Sequence, residues 1–124
     1  MTAGTILLVD DDDLFRESLG SNLTDAGFEV VEAEDGERAI AQAESGRAID
    51  LVILDWRMPG LSGVEVLKRL RSSGNETPVI FLTSLNDQIY EEAALQDGAI
   101  DFVEKSRSFL ILMKRIELVL AGIK

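Results

Sequence analysis

The chain has 124 residues with 46% hydrophobic and 28% charged, enough for one compact domain that buries roughly two thirds of its unfolded surface. Its net charge of −11 disfavours direct contact with nucleic acid phosphates. It has no cysteine and no histidine, which removes disulfides, thiolate metal sites and the commonest general base. Any chemistry must run on carboxylates, hydroxyls, lysine and a hard cation.

Thr5 to Asp10 reads as a buried strand. Leu14, Phe15, Ser18, Leu19, Asn22, Leu23 and Ala26 follow at helical spacing, and Gly27 stops that helix. Phe28 to Ala33 is a second strand. Asp35 to Ser45 is a helix ended by Gly46. Asp50 to Leu54 is a third strand, and Pro59, Gly60 and Gly63 mark a turn before a helix reaching about Arg71. Pro78 to Leu82 is a fourth strand, followed by a helix from about Asn86 to Asp97. Ile100 to Glu104 is a fifth strand, and a last helix runs from about Ser108 to Gly122. No apolar run approaches the ~18 residues of a membrane span, and the N-terminus carries no signal-like segment. The expected setting is the cytoplasm.

Five successive βα units with continuously apolar strands predict a parallel sheet covered on both faces, a three-layer, doubly wound (βα)5 α/β fold with right-handed crossovers. In such sheets the ligand site lies beyond the carboxyl ends of the strands. Strand one ends in Asp10 and Asp11, strand three in Asp55, strand four in Thr83 and Ser84, and strand five at Lys105. Three carboxylates so close repel one another, and at least one has a raised pKa unless a cation intervenes. Oxygen ligands alone suit Mg²⁺. Lysine and threonine then offer a charge and a hydrogen bond to an anion, and a carboxylate can act as nucleophile to form an aspartyl phosphate. The plainer alternatives are an N-cap role for Asp12 or Asp13 and a solvated surface position for Lys105.

The segments ILLVDDD, LVILDWRMPGLSG, PVIFLTS and GAIDFVEK resemble, in order and spacing, the receiver domain of response regulators, from Thr5 to about Leu120. The resemblance implies the flavodoxin-like strand order 2-1-3-4-5. It implies a receiver spanning 1–124, either alone or as the N-terminal part of a longer regulator. Its function would be to accept a phosphoryl group from a histidine kinase or phosphotransfer protein on Asp55. Asp11, Asp55 and the backbone carbonyl of Trp56 would ligate Mg²⁺ (or Mn²⁺), and Asp10 would act through a metal-bound water. Lys105 would pair with phosphoryl oxygens. Thr83 and the inward-turning Phe102 would form the switch. Phe15 and Ser18 would lie near the rim where the donor docks. Such a domain is no turnover enzyme, since it catalyses only its own phosphotransfer and a slow autodephosphorylation.

Two departures stand out. Ser106 follows Lys105 where the family usually has proline, often with a cis bond; a non-proline cis bond costs ~3 kcal/mol, so a trans bond is expected. Arg57 and Leu85 occupy positions that tune dephosphorylation. Leucine cannot orient water, whereas arginine could cover the phosphoryl group, or simply point to solvent. On the last helix, Phe109, Leu112, Ile116 and Val119 form a core stripe and leave other apolar residues over. Leu95, Asp97, Ile111, Met113, Arg115 and Leu118 could form a homodimer face on helix four, strand five and helix five upon phosphorylation, with Asp97 meeting Arg115 of the second copy. A missing output domain is the other candidate occupant. A haloacid-dehalogenase-type phosphatase is disfavoured because Arg57 stands where the acid of Asp-x-Asp belongs. A scaffold that takes no phosphate is the remaining alternative.

Overall fold

The computed structural model describes residues 3–84 and 88–122. Its elements are β1 (Thr5–Val9), α1 (Asp13–Asp25), β2 (Glu29–Ala33), α2 (Gly36–Ala43), β3 (Leu51–Asp55), α3 (Gly63–Ser72), β4 (Val79–Thr83), α4 (Gln88–Gln96), β5 (Asp101–Glu104) and α5 (Phe109–Leu120). The sheet order is β2-β1-β3-β4-β5, and every pairing is parallel. This is the predicted doubly wound, flavodoxin-like topology. Asn86 and Asp87, the expected start of the fourth helix, lie outside the described residues.

Strand residues point alternately to opposite faces. Leu7, Val9, Val52, Leu54, Val79 and Phe81 pack with Ala39, Ile40, Val66, Leu67, Leu70 and Ala94 of α2, α3 and α4. Ile6, Leu8, Leu51, Ile53, Ile80, Leu82 and Val103 pack with Leu19 and Leu23 of α1 and Leu112, Ile116 and Val119 of α5. Each of the larger buried side chains among them contributes about 1.5–3 kcal/mol of transfer free energy.

The helix starts are built locally. Asp12 caps α1 through Phe15 N, Asp35 caps α2 through Arg38 N, Ser108 caps α5 through Ile111 N, and Ser62 with Glu65 forms a capping box on α3. Asp12 is therefore the N-cap that sequence allowed for it.

Two helix faces differ from expectation. Leu14, one of the residues read at helical spacing along α1, is 82% exposed, whereas Arg16 is buried with Leu19, Gly20 and Leu23. The stripe at i, i+3, i+4, i+7 thus begins on an arginine. On α5, Leu112, Ile116 and Val119 are buried as expected, while Phe109 is half-buried. There are no cis peptide bonds among the described residues, so Lys105–Ser106 is trans.

Candidate functional site

The sheet carries the candidate residues to one edge. Its ladder continues one residue past the strands: Asp10 N donates to Ala33 O (3.2 Å), Trp56 N to Leu82 O (2.9 Å) and Lys105 N to Thr83 O (2.6 Å). These bonds fix the backbones of the residues at the carboxyl ends. Asp10 is 0% exposed, Thr83 1% and Asp55 6%, while Asp11 stands at the solvent side.

Lys105 Nζ lies 2.7 Å from Asp10 Oδ2 and 3.5 Å from Asp55 Oδ1, with the Phe15 ring centroid 4.7 Å away. Asp10, Asp11 and Asp55 each present an oxygen within 4.8 Å of the others. One ammonium does not balance three carboxylates. Asp55 carries the consequence: burial, reinforced by the charge of Asp10 and opposed by Lys105, pushes its pKa up to about 7. Lys105 is itself raised; burial works against its charge, but the close contact with the Asp10 carboxylate and the charge of Asp55 outweigh that cost.

Asp10 Oδ2 accepts no well-formed hydrogen bond despite the proximity of Lys105, whereas Asp10 Oδ1 accepts from Asp12 N at 2.9 Å. Three clustered carboxylates that one ammonium does not balance fit a divalent cation of the Mg²⁺ class. The Trp56 carbonyl accepts from Gly63 N at 3.1 Å and retains a second lone pair.

Gly63 begins α3 directly against this loop. A Cβ there would lie 2.2 Å from the Asp55 carbonyl oxygen and 2.8 Å from Phe81 Cε1, so only glycine permits the approach.

Around Asp55 the aromatics interlock. Trp56 meets Phe81 at 5.0 Å and Phe102 at 5.7 Å edge-on, and Tyr90 at 5.6 Å in a tilted arrangement. Phe102 faces inward in this structure and is 9% exposed. Arg57 is exposed and turns its side chain to Tyr90. Its guanidinium lies over the Tyr90 ring, 5.6 Å from the centroid, and donates to Tyr90 Oη at 3.3 Å. Leu85 lies outside the described residues.

The expected dimer face is partly engaged within the chain. Leu95 and Leu118 are exposed, Asp97 and Ile111 are half-exposed, and Met113 packs partly against the core. Arg115 meets Asp101 of its own chain, one guanidinium nitrogen lying 2.9 Å from both carboxylate oxygens. The parity of β5 explains this. Asp101 shares the α5 face with Val103, while Phe102 points the other way.

A cavity of about 140 Å³ opens between α1 and α5 beside Lys105, its lining including Phe15, Ser18, Arg107 and Phe109. Sequence reasoning overlooked Arg16, Tyr90 and Asp101. Extending the α1 stripe one turn back from Leu19 lands on Arg16, and that was the available signal.

The family described as the response regulator receiver domain matches residues 6–117. The response regulator MprA of Mycolicibacterium vanbaalenii is 39% identical over 115 residues, covering 93% of this chain and 49% of that protein. A cyclic di-GMP phosphodiesterase of Thermotoga maritima is 34% identical over 112 residues, covering 90% of this chain and 30% of its own length. The chain thus spans about half or less of these curated relatives. Among solved structures, FixJ-N superposes with a TM-score of 0.89 at 32% identity, covering 100% of this chain and 98% of that one. The receiver domain of Francisella response regulator 1452 gives 0.89 at 28% identity, covering 98% and 99%.

Proposed function

The chain belongs to the response regulator receiver domain family, and from that premise we propose that it is the phosphorylation-activated receiver of a two-component system, with Asp55 as phosphoacceptor. The observation that carries the reading is Lys105 set between two buried carboxylates at the strand ends, 2.7 Å from Asp10 and 3.5 Å from Asp55. A half-buried lysine so placed is poised to follow an incoming anion. Receivers are signalling domains and not turnover enzymes, and the transfer proposed is a single event on the chain itself.

The donor is the phosphohistidine of a histidine kinase or phosphotransfer protein, docked over Phe15 and Ser18 at the α1 side. An Asp55 carboxylate oxygen attacks phosphorus. The new O–P bond forms as the N–P bond breaks, and its electron pair returns to the imidazole. Asp10, Asp11, Asp55 and the Trp56 carbonyl would hold Mg²⁺ or Mn²⁺. A bound divalent cation supplies charge that favours ionised Asp55 and offsets the phosphoryl oxygens. Lys105 transfers its contact from Asp10 to a phosphoryl oxygen, and the Thr83 hydroxyl donates to another. The added charge draws Thr83 and its loop inward. Phe102, packed on Trp56, holds the space that movement vacates.

The changed surface is the α4–β5–α5 face, with Leu95, Asp97, Ile111, Met113 and Leu118 as its apolar and charged patch, and we assign it to a homodimer. Arg115 joins that face while tied to Asp101. Among the described residues no helix is long and apolar enough to cross a membrane, and the proposed compartment is the cytoplasm. With net charge −11, the domain itself is assigned no nucleic acid contact.

The test is intact mass after incubation with Mg²⁺ and acetyl phosphate, with sedimentation of the product. One added phosphoryl group on the parent and none on Asp55→Asn, with a shift to dimer, supports the proposal. A folded, cation-binding parent that gains no mass from acetyl phosphate or from a phosphohistidine donor overturns it in favour of a scaffold.

A further inference from the structure

We infer that Arg16 is a positioning residue for the cation site: it holds the Asp10–Asp11 peptide from behind, with Glu32 on β2 as its anchor. The inference rests on the reading that Asp10, Asp11 and Asp55 bind a divalent cation. Arginine is seldom buried without partners, and Arg16 is only 9% exposed. It spends its planar fork on three different groups. Nη1 donates to the Asp10 carbonyl at 2.8 Å, Nε to Glu32 Oε1 at 3.0 Å, and Nη2 lies 2.9 Å from Asp13 Oδ1. The Asp10 carbonyl belongs to the same peptide plane as the Asp11 N–H. Fixing that oxygen sets the tilt of the plane and hence the direction of the Asp11 side chain. On the other side, Asp12 N donates to Asp10 Oδ1 at 2.9 Å, so the turn is gripped from both ends.

Gly20 supplies an independent observation. It lies in the middle of α1 without a positive φ, where glycine is disfavoured against alanine. A Cβ there would sit 3.3 Å from Glu32 Oε2 and 3.8 Å from Leu8 Cδ2. The missing side chain leaves the clearance through which Glu32 reaches Arg16. Glu32 itself shares the α1 face of β2 with Val30, by the alternation of the strand.

Charge and positioning predict opposite signs. Arg16 is a positive charge behind a cation site, so losing it would tighten cation binding if charge alone mattered. Loss of an orienting group weakens metal binding, typically by at least tenfold. The experiment titrates Mg²⁺ into the parent, Arg16→Met, Arg16→Lys and Glu32→Ala. It is read by calorimetry and by fluorescence of Trp56, the chain's one tryptophan, which adjoins Asp55. Circular dichroism checks the fold of each variant.

Arg16→Met and Arg16→Lys are expected to raise the Mg²⁺ dissociation constant about tenfold. Lysine keeps the charge but cannot span three acceptors. Glu32→Ala is expected to raise it about threefold, since the carbonyl contact remains. The rate of phosphorylation by acetyl phosphate should recover at saturating Mg²⁺. Unchanged or tighter binding in folded Arg16→Met overturns the inference. Should the Arg16 variants not fold, Glu32→Ala decides alone, because its side chain is 41% exposed at the sheet edge. A parent that binds Mg²⁺ but takes no phosphoryl group sinks the proposed function, while weakened Mg²⁺ binding in the variants still upholds Arg16. A parent that binds no Mg²⁺ sinks both.

Discussion

Asp55→Asn should make the metal-free protein more stable, and the gain should depend on pH. In the folded chain Asp55 keeps its proton up to about pH 7, whereas the unfolded chain releases it near 3.8. Between those values the folded state binds more protons than the unfolded one. Stability therefore falls as pH rises through this window, and the loss is complete above pH 7. At about 1.4 kcal/mol per tenfold change in proton affinity, the interval from 3.8 to about 7 corresponds to about 4 kcal/mol. Lys105 and Asp10 readjust when Asp55 is neutralised, so the expected gain in Asp55→Asn is on the order of 2–4 kcal/mol at pH 8. For a domain of this size that is a Tm increase of about 6–12 °C. The assay is thermal and urea unfolding of parent and variant in EDTA at pH 4, 6 and 8. The gap should be small at pH 4, which lies only just above the unfolded value of 3.8, so little of the proton-affinity difference has yet been lost. It should narrow again at pH 8 with Mg²⁺, which stabilises only the parent's carboxylate cluster. A gap of equal size at pH 4 and pH 8, or no gain at pH 8, would show that burial of a reluctant carboxylate is not the source.

Gly63→Ala places a methyl 2.2 Å from the Asp55 carbonyl oxygen, an atom that cannot move without shifting β3; a loss of about 3 kcal/mol is expected in urea unfolding. Asp101→Ala removes the partner of Arg115 and the acceptor that Phe102 N reaches at 2.8 Å. A loss of about 2–3 kcal/mol is expected, and unfolding midpoints within error of the parent would show the pair to be incidental. Arg57→Ala should shorten the lifetime of phosphorylated Asp55 about threefold, measured as decay of the phosphorylated mass. Tyr90→Phe, which removes the hydroxyl now holding Arg57 at 3.3 Å, should lengthen it; equal decay in all three proteins would assign Arg57 no part in protecting the phosphoryl group.

The alternation of short apolar runs with amphipathic stretches was enough to determine five parallel strands, their helices and the edge where function gathers. Parallel strands are buried on both faces, so their sequences are continuously apolar, and a carboxylate following such a run marks a strand end. Asp10, Asp55, Thr83 and Lys105 were legible for that reason, and nearest-neighbour capping made Asp12 legible as well. Groups whose surroundings come from elements far apart in the chain were not. Leu14 is apolar yet 82% exposed, and Arg16 is charged yet buried, because β2 offers Glu32 where helical periodicity alone asks for an aliphatic residue. Arg115 turns to Asp101 and Arg57 to Tyr90 for the same kind of reason. Five βα units and the residues at their strand ends were readable from continuous apolar runs alternating with stretches of helical period, whereas the strand order came from the family resemblance. Which charge meets which was settled by the packed fold, because a long side chain chooses among partners brought together by sheet order and strand parity.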